Sequence, residues 1–252
     1  MAETKKNQKK KDTFIIVMPV YNEENCIEKV VRSWMNVVNK HTGSEMLAIN
    51  DGSKDNTKQI LDKLKKEFKN FKVIHKINEG HGTTIVGGYI EATKTPHEWV
   101  FQTDSDDQFF AEDFDKLWKQ RYKSVFILGD RFKRFDPSHR LIITKINLML
   151  ILILFGRYIR DSNVPYRLMR IDYLKKLLSV LPKNLFAPNI FLSILALKDG
   201  QDLIAIPISH RERKTGKISI VKWKLIKVCF MVVKELILFR LRLSSILKKI
   251  PK

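Results

Sequence analysis

A chain of 252 residues with 47 lysines and arginines against 27 aspartates and glutamates carries a formal net charge of +20. This length supports a sizeable hydrophobic core, and the charge predicts an anionic partner: nucleic acid, a phosphorylated substrate or a membrane surface. The chain has two cysteines, and no apolar run directly follows its basic N-terminus, so we expect neither a disulfide framework nor a signal peptide.

The first half of the chain predicts strands and helices in alternation after a disordered basic tail at residues 1–12. Apolar runs predict four strands, at residues 14–18, 46–49, 72–75 and 99–102. This alternation predicts a Rossmann-like, mostly parallel sheet with helices on both faces. Because right-handed crossovers bring all strand-to-helix loops to one edge, we expect Tyr21, Asp51, Gly80 and Asp104 to converge there.

The second half of the chain is less regular. The predicted elements are a strand at residues 125–128, helices at about 139–158, 171–180 and 188–199, a strand at 203–206 and a final helix at about 221–249. We therefore expect one α/β domain over residues 13–220, and a C-terminal basic amphipathic segment over residues 221–252.

Two segments predict contact with a membrane surface. Residues 146–155 are apolar without a break, but a bilayer core requires about 20 apolar residues. The final helix repeats apolar residues at helical spacing, namely Trp223, Ile226, Phe230, Val233, Ile237 and Leu241. The opposite side is basic, with Lys224, Lys227, Lys234 and Arg242. Such a helix can lie in an anionic membrane interface, so we expect peripheral association without a full span. The alternative is a helix that packs on the domain and exposes its lysines.

A compact acidic sequence follows the fourth predicted strand. Asp104, Asp106 and Gln108 supply oxygen ligands suited to Mg²⁺ or Mn²⁺, and a cation held there could bind a diphosphate. Asp51 precedes Gly52 and could accept a hydrogen bond from a nucleotide base. The structural alternatives are that Asp51 only forms a turn and that the later carboxylates only cap a helix.

Four segments, in order and spacing, resemble glycosyltransferase family 2, whose members have the GT-A fold. They are Val17-Met18-Pro19-Val20-Tyr21-Asn22-Glu23-Glu24, Asn50-Asp51-Gly52-Ser53-Lys54-Asp55-Asn56-Thr57, Asn78-Glu79-Gly80-His81-Gly82 and Asp104-Ser105-Asp106. The resemblance covers about residues 13–220. Gln108, two residues after the acidic motif, makes the chain most similar to the polyprenyl-phosphate branch, which includes the dolichol-phosphate-mannose synthases.

This resemblance implies an inverting, metal-dependent enzyme at the cytoplasmic face of a membrane. It would move a sugar from a UDP- or GDP-linked donor to a polyprenyl phosphate, dolichyl or undecaprenyl. The implied donor-binding residues are Pro19, Tyr21, Glu23, Asp51, Gly80, Asp104 and Ser105. The implied metal ligands are Asp104, Asp106 and Gln108. The implied acceptor and phosphate ligands are Arg131, Arg140, Arg167, His210, Arg211 and Arg213. The implied catalytic residues are Asp106, Asp107, Asp161, Arg131 and Arg213.

Three alternatives remain open at this stage. Departures from the branch pattern, at residues 163–167 and after Gly216, leave the sugar and the acceptor undetermined. A hydroxyl acceptor on a growing glycan would require a base, either Asp107 or Asp161, although Asp161 could instead pair with Arg160 or Arg167. A basic nucleic-acid-binding protein fits the charge but lacks a stacking-aromatic or zinc motif. A catalytically dead homologue is disfavoured by the intact set of metal ligands.

Overall fold

A computed structural model describes residues 12–132, 138–213 and 222–251, except for the side chains of residues 138–143 and 222–227. These ranges contain seven strands and eight α-helices. The strands are β1 (Phe14–Val20), β2 (Glu45–Asp51), β3 (Phe71–Lys76), β4 (Trp99–Thr103), β5 (Phe126–Arg131), β6 (Tyr166–Arg170) and β7 (Leu203–Ile208). The helices are α1 (Ile27–Lys40), α2 (Thr57–Glu67), α3 (His81–Ala92), α4 (Phe114–Trp118), α5 (Ser138–Phe155), α6 (Ile171–Val180), α7 (Pro188–Lys198) and α8 (Lys222–Leu247).

All seven strands belong to one sheet, in the order β3-β2-β1-β4-β6-β5-β7. Every pairing is parallel except those of β6, which runs antiparallel to both β4 and β5. The predicted mostly parallel α/β sheet is therefore confirmed. All seven residues of β1 are buried, as expected for a central strand covered on both faces.

Strand β6 is not predicted from the sequence, where Arg167 is assigned to the acceptor site. The strand is short and contains Arg167, whose charge makes the run look like a surface segment. In the structure, residues 166–169 are all buried, since β6 fills the gap between β4 and β5. The buried guanidinium of Arg167 is satisfied by nearby carbonyls and by two residues of α7, Asn189 and Ser193.

The first strand is longer than predicted and continues through Pro19 to Val20. Pro19 lacks the N–H that a central strand normally needs for its ladder. Pairing between β1 and β4 extends only to Val17, so Pro19 pairs with β2 alone and disrupts no bond to β4. The absence of a backbone N–H at Pro19 is therefore tolerated at this end of the sheet.

Helix α8 has two apolar faces. Val232, Leu236, Phe239 and Leu243 are buried, and the ring of Phe239 contacts Phe155 of α5. The apolar stripe predicted from the sequence is a different face of α8. Its members Phe230, Ile237 and Leu241 are exposed to solvent. Trp223 and Ile226 are outside the described side chains. Among the described residues, no helix has the length and apolar character needed to cross a membrane.

Candidate active site

A cavity of about 590 Å³ opens at the carboxyl edge of the parallel strands. Tyr21, Asp51, Gly80 and Asp104 all line it, so their predicted convergence is confirmed. Further walls come from α5, α8 and the start of α7. The topology explains this arrangement, because β1, β2, β3 and β4 are parallel and their following loops meet at one edge.

Two carboxylates form the acidic centre of the cavity. Burial raises the pKa of Asp104 to about 7, and burial together with the charge of Asp104 raises the pKa of Asp106 to about 6. The Oδ1 atom of Asp104 is buried and, within the described ranges, accepts no hydrogen bond. A buried carboxylate pair with an unused oxygen fits a divalent cation, which would supply the missing positive charge.

Gln108 completes this oxygen set. Its backbone N–H donates to Asp106 Oδ1 at 3.3 Å, and its side-chain Nε2 donates to the carbonyl of Arg211 at 3.2 Å. The amide oxygen is then the atom available to a cation. The described residues contain no cluster of three or more His, Cys, Asp or Glu side chains suited to a metal. Two carboxylates with substrate phosphates suffice for Mg²⁺, which usually keeps several non-protein ligands.

Arg213 connects the segment after β7 to the acidic centre. It donates to Glu23 Oε1 at 2.6 Å and approaches Asp106 Oδ2 at 3.5 Å. Burial raises the pKa of Glu23, and the charge of Arg213 opposes that rise. An isolated β-bridge between Phe109 and His210 joins the segment after β4 to the segment after β7. This pairing explains how Arg213, which follows β7, reaches the acidic centre after β4.

Asp51 is held by the loop between β3 and α3. Its carboxylate accepts the N–H groups of Glu79 and Gly80 at 2.9 and 3.0 Å and the ammonium of Lys76 at 2.5 Å. Burial alone would raise the pKa of Asp51, but the hydrogen bonds from Lys76 and Glu79 hold it below its ordinary value. Asp51 is thus ionised and fixed at the cavity wall, and its contact with a base stays a prediction.

Arg131 and Asp161 form a bidentate ion pair on the opposite wall. The two N–O distances are 2.7 and 2.8 Å, and both side chains line the cavity. Asp161 therefore pairs with Arg131, and the predicted alternatives Arg160 and Arg167 are wrong; Arg160 pairs with Asp130 at 3.1 Å. The ion pair fixes the guanidinium of Arg131 at the cavity wall.

The sequence model described as "Glycosyl transferase family 2" matches residues 15–178, which is more than half of the chain. The chain belongs to glycosyltransferase family 2. The fold agrees, since a structure of Mycobacterium tuberculosis glucosyl-3-phosphoglycerate synthase superposes with a TM-score of 0.67. That structure contains Mn²⁺, UDP and glucosyl-3-phosphoglycerate, is 16% identical, and aligns over 91% of this chain and 80% of its own.

Related family 2 glycosyltransferases use polyprenyl phosphates, according to their names. The dolichyl-phosphate beta-glucosyltransferase of Trichomonas vaginalis is 24% identical, over 81% of this chain and 68% of its own. A UDP-N-acetylglucosamine–dolichyl-phosphate N-acetylglucosaminyltransferase of Methanococcus voltae is 28% identical, over 77% and 83%. An undecaprenyl-phosphate 4-deoxy-4-formamido-L-arabinose transferase of Photorhabdus laumondii is 25% identical, over 92% and 70%.

Three residues predicted for this glycosyltransferase site do not line its cavity. Asp107 has a left-handed backbone, with φ of 59°, and its carboxylate pairs with Lys29 at 2.7 Å and with Arg211. Arg211 lies over the ring of Phe110. His210 is buried beside Phe109. The structure thus does not bring Asp107, His210 and Arg211 to the cavity, and their predicted catalytic and phosphate-binding roles stay predictions.

Arg167, which was predicted as an acceptor ligand, does not line the cavity either. It is fully buried, and its guanidinium donates five hydrogen bonds, to the carbonyls of Ser162, Val164 and Asn189 and to the hydroxyl of Ser193. With its donors engaged inside the fold, Arg167 is structural. The predicted role of Arg140 is outside the described side chains.

Several cavity residues of this family 2 enzyme were missed by the sequence analysis. They are His81, Thr144, Asn147, Leu148, Phe186, Asn189, Ile190, Val228, Cys229 and Val232. Most come from α5, α7 and α8, which lie far along the chain from the four motifs. Their position at the cavity depends on how the helices pack, which no local sequence pattern predicts. His81 is different, since it lies inside the third motif.

Proposed function

We propose that this protein is a metal-dependent, inverting glycosyltransferase that moves a sugar from a nucleotide diphosphate sugar to a membrane-embedded polyprenyl phosphate. The observation that carries the proposal is the make-up of the cavity. Its lining combines carboxylates and arginines from the loops at the strand ends with apolar side chains from α5, α7 and α8. A ligand that combines a phosphate with a hydrocarbon chain matches this combination.

The donor end is formed by the loops after the parallel strands. Asp51 would accept a hydrogen bond from the base, with Tyr21 and Pro19 beside it. Asp104, Asp106 and the amide oxygen of Gln108 would hold Mg²⁺ or Mn²⁺. When bound, such a cation stabilises negative charge on a diphosphate leaving group. Arg213, already between Glu23 and Asp106, would approach the same diphosphate.

The acceptor end begins at Arg131. Asp161 holds the guanidinium in one orientation at the cavity wall, where its positive charge can attract an acceptor phosphate. A phosphate oxygen is ionised at neutral pH and can attack the anomeric carbon as the bond to the diphosphate breaks. Positioning and electrostatic stabilisation then supply the catalysis, and no protein base is required. Apolar side chains continue from this point, namely Leu148, Phe186, Ile190, Val228 and Val232.

Transfer to a hydroxyl is less well supported. It would require a carboxylate free to accept a proton. Asp107 is outside the cavity and paired with Lys29 and Arg211. Asp161 is engaged by both donor atoms of Arg131. The two carboxylate candidates are therefore committed to ion pairs, which favours the lipid phosphate.

The outer surface of α5 and α8 supports peripheral binding to an anionic membrane. Of the sixteen large hydrophobic residues that are exposed in the described ranges, nine lie on these two helices and a tenth, Tyr158, follows α5. The nine are Ile146, Met149, Leu152, Ile153, Phe230, Met231, Ile237, Leu238 and Leu241. Exposed basic residues occur on the same helices and just after α8: Lys145, Lys234, Arg240, Arg242, Lys248 and Lys249. A surface that combines apolar and cationic side chains matches an anionic lipid interface. The same helices line the cavity, so a membrane-anchored acceptor would arrive beside Arg131.

The direct test is sugar transfer from a panel of UDP- and GDP-sugars, with Mg²⁺ or Mn²⁺, in the presence and absence of a short polyprenyl phosphate. We expect transfer only with metal and lipid phosphate together. Arg131→Lys should raise KM for the lipid phosphate about tenfold and leave KM for the donor unchanged. Arg170→Lys, in an exposed bidentate pair with Asp172, is the matched control. Transfer to a free sugar at the same rate as to the lipid phosphate would overturn the proposal.

Membrane binding is tested separately by flotation of the full chain with phosphatidylcholine–phosphatidylserine liposomes. The double variant Phe230→Glu, Leu241→Glu should reduce the floated fraction at least about fivefold, because two charges enter the apolar face. Ile90→Glu, at an exposed apolar position on α3, should float like the parent. Recovery of the parent only in the soluble fraction would exclude binding to this lipid surface.

A further inference from the structure

Asp107 and Arg211 form an ion pair beside the acidic centre, outside the cavity. Asp107 lies between Asp106 and Gln108 and has a left-handed backbone, with φ of 59°, which Asp tolerates better than most residues do. Its carboxylate accepts hydrogen bonds from Nζ of Lys29, at 2.7 Å, and from the guanidinium of Arg211. Three segments that are distant in the chain therefore meet at Asp107: α1, the loop after β4 and the segment after β7.

Arg211 is attached to the loop after β4 through its side chain and its backbone. The guanidinium also donates to the carbonyl of Asp107, and its carbon lies 4.5 Å from the centre of the Phe110 ring. The backbone N–H of Arg211 donates to the carbonyl of Gln108 at 3.0 Å. In return, Nε2 of Gln108 donates to the carbonyl of Arg211 at 3.2 Å. These contacts fix Arg211 against the same loop that carries the acidic pair.

Arg213 follows Arg211 by two residues and is the cation that lines the cavity. Two residues of extended chain span at most about 7 Å, so a fixed Arg211 limits the region that the Arg213 side chain can reach. Within that region Arg213 donates to Glu23 Oε1 at 2.6 Å and approaches Asp106 Oδ2 at 3.5 Å. The ion pair outside the cavity can thus set the position of a cation inside it.

We propose that Asp107 and Arg211 are positioning residues. Their ion pair holds the segment after β7 against the loop after β4, and so places Arg213 to bind the diphosphate of the donor. The inference rests on the proposed function, since it assumes that a nucleoside diphosphate binds between Asp106 and Arg213. Asp107 then contributes to donor affinity without touching the donor.

The first test measures the attachment of the segment after β7 in the full chain without ligand, by amide hydrogen exchange and mass spectrometry. Asp107→Gly removes the carboxylate and suits the left-handed backbone. A peptide that contains Arg211 should then exchange at least about fivefold faster, because the bond from its N–H to Gln108 opens more often. A peptide from β1 should exchange as in the parent, which shows that the variant is folded. Unchanged exchange at Arg211 would refute the proposal.

The second test is calorimetric titration with UDP and with GDP in the presence of Mn²⁺. Asp107→Gly should raise Kd for the nucleotide that the parent binds by about tenfold, the effect of one lost hydrogen bond to a charged ligand. Asp107→Asn, which keeps an acceptor for Arg211 and tolerates the same backbone, should stay within about threefold of the parent. Lys29→Met removes only the exposed partner of Asp107 and should bind like the parent.

A double-mutant cycle separates positioning from a direct effect. Arg213→Met should raise Kd at least as much as Asp107→Gly does, and adding Asp107→Gly to Arg213→Met should change Kd by less than about twofold. If Asp107→Gly raises Kd by the same factor with and without Arg213, or not at all, the positioning role is refuted and the proposed function stands. If the parent binds neither nucleotide with Mn²⁺, the proposed function fails and the positioning role fails with it.

Discussion

Replacement of Arg167 by methionine separates a structural arginine from a phosphate-binding one. Arg167→Met removes five donated hydrogen bonds, four of which reach the carbonyls of Ser162, Val164 and Asn189. Each buried carbonyl left without a donor costs about 1–3 kcal/mol. Loss at all three carbonyls would give about 3–9 kcal/mol, but the hydroxyl of Ser193 can still donate to the carbonyls of Ser162 and Asn189. Relief of the desolvation cost of a buried cation offsets a further part. We expect the free energy of unfolding to fall by about 3 kcal/mol.

The assay is equilibrium unfolding in guanidinium chloride, followed by circular dichroism. A loss of about 3 kcal/mol is a large share of the 5–15 kcal/mol that is typical of a folded domain. Arg170→Met, at a half-exposed surface pair, should change stability by less than about 1 kcal/mol. If the Arg167→Met variant folds, its KM for the lipid phosphate should equal that of the parent. Parent-like stability together with a raised acceptor KM would refute the structural role and restore the phosphate-binding one.

Three further outcomes are expected. Asp104→Asn or Asp106→Asn should abolish the rise in melting temperature that Mn²⁺ and UDP give the parent; an undiminished rise would show that the metal binds elsewhere. Metal ligands must be ionised, and burial raises the pKa of Asp104 to about 7 and of Asp106 to about 6. Affinity for Mn²⁺ should therefore fall at least about tenfold from pH 8 to pH 6 by calorimetry, and a flat profile would contradict these pKa values. Gly82→Ala should destabilise by about 2–3 kcal/mol in chemical unfolding, because its Cβ would meet the Leu185 carbonyl. Gly87→Ala, in the same helix with open space around it, should not destabilise.

The donor half of the site was predictable from the sequence for a topological reason. Tyr21, Asp51, Gly80 and Asp104 each follow a strand that an apolar run reveals. Parallel strands then force the loops to one edge, whatever the details of packing. Local chemistry also identified the acidic pair, since two carboxylates one residue apart can share a cation.

The acceptor half was not predictable in the same way. Arg131 and Arg167 are both arginines on strands in the second half of the chain, yet one lines the cavity and the other is buried. Arg131 is held at the cavity by its ion pair with Asp161. Arg167 is held in the interior by hydrogen bonds to the carbonyls of Val164 and Asn189. Such partners are chosen by the packing of β6 and α7, which no local pattern encodes.

The sequence by itself determined the family, the parallel sheet, the edge where ligands bind and the acidic pair. Only the tertiary structure decided which neighbouring charges face the cavity. Asp106 enters it, while the adjacent Asp107 turns to Lys29 and Arg211. It also decided that α5 and α8 close the far wall with apolar residues. The physical reason is that a motif depends on consecutive residues, whereas burial and ion pairing depend on segments that meet only after folding.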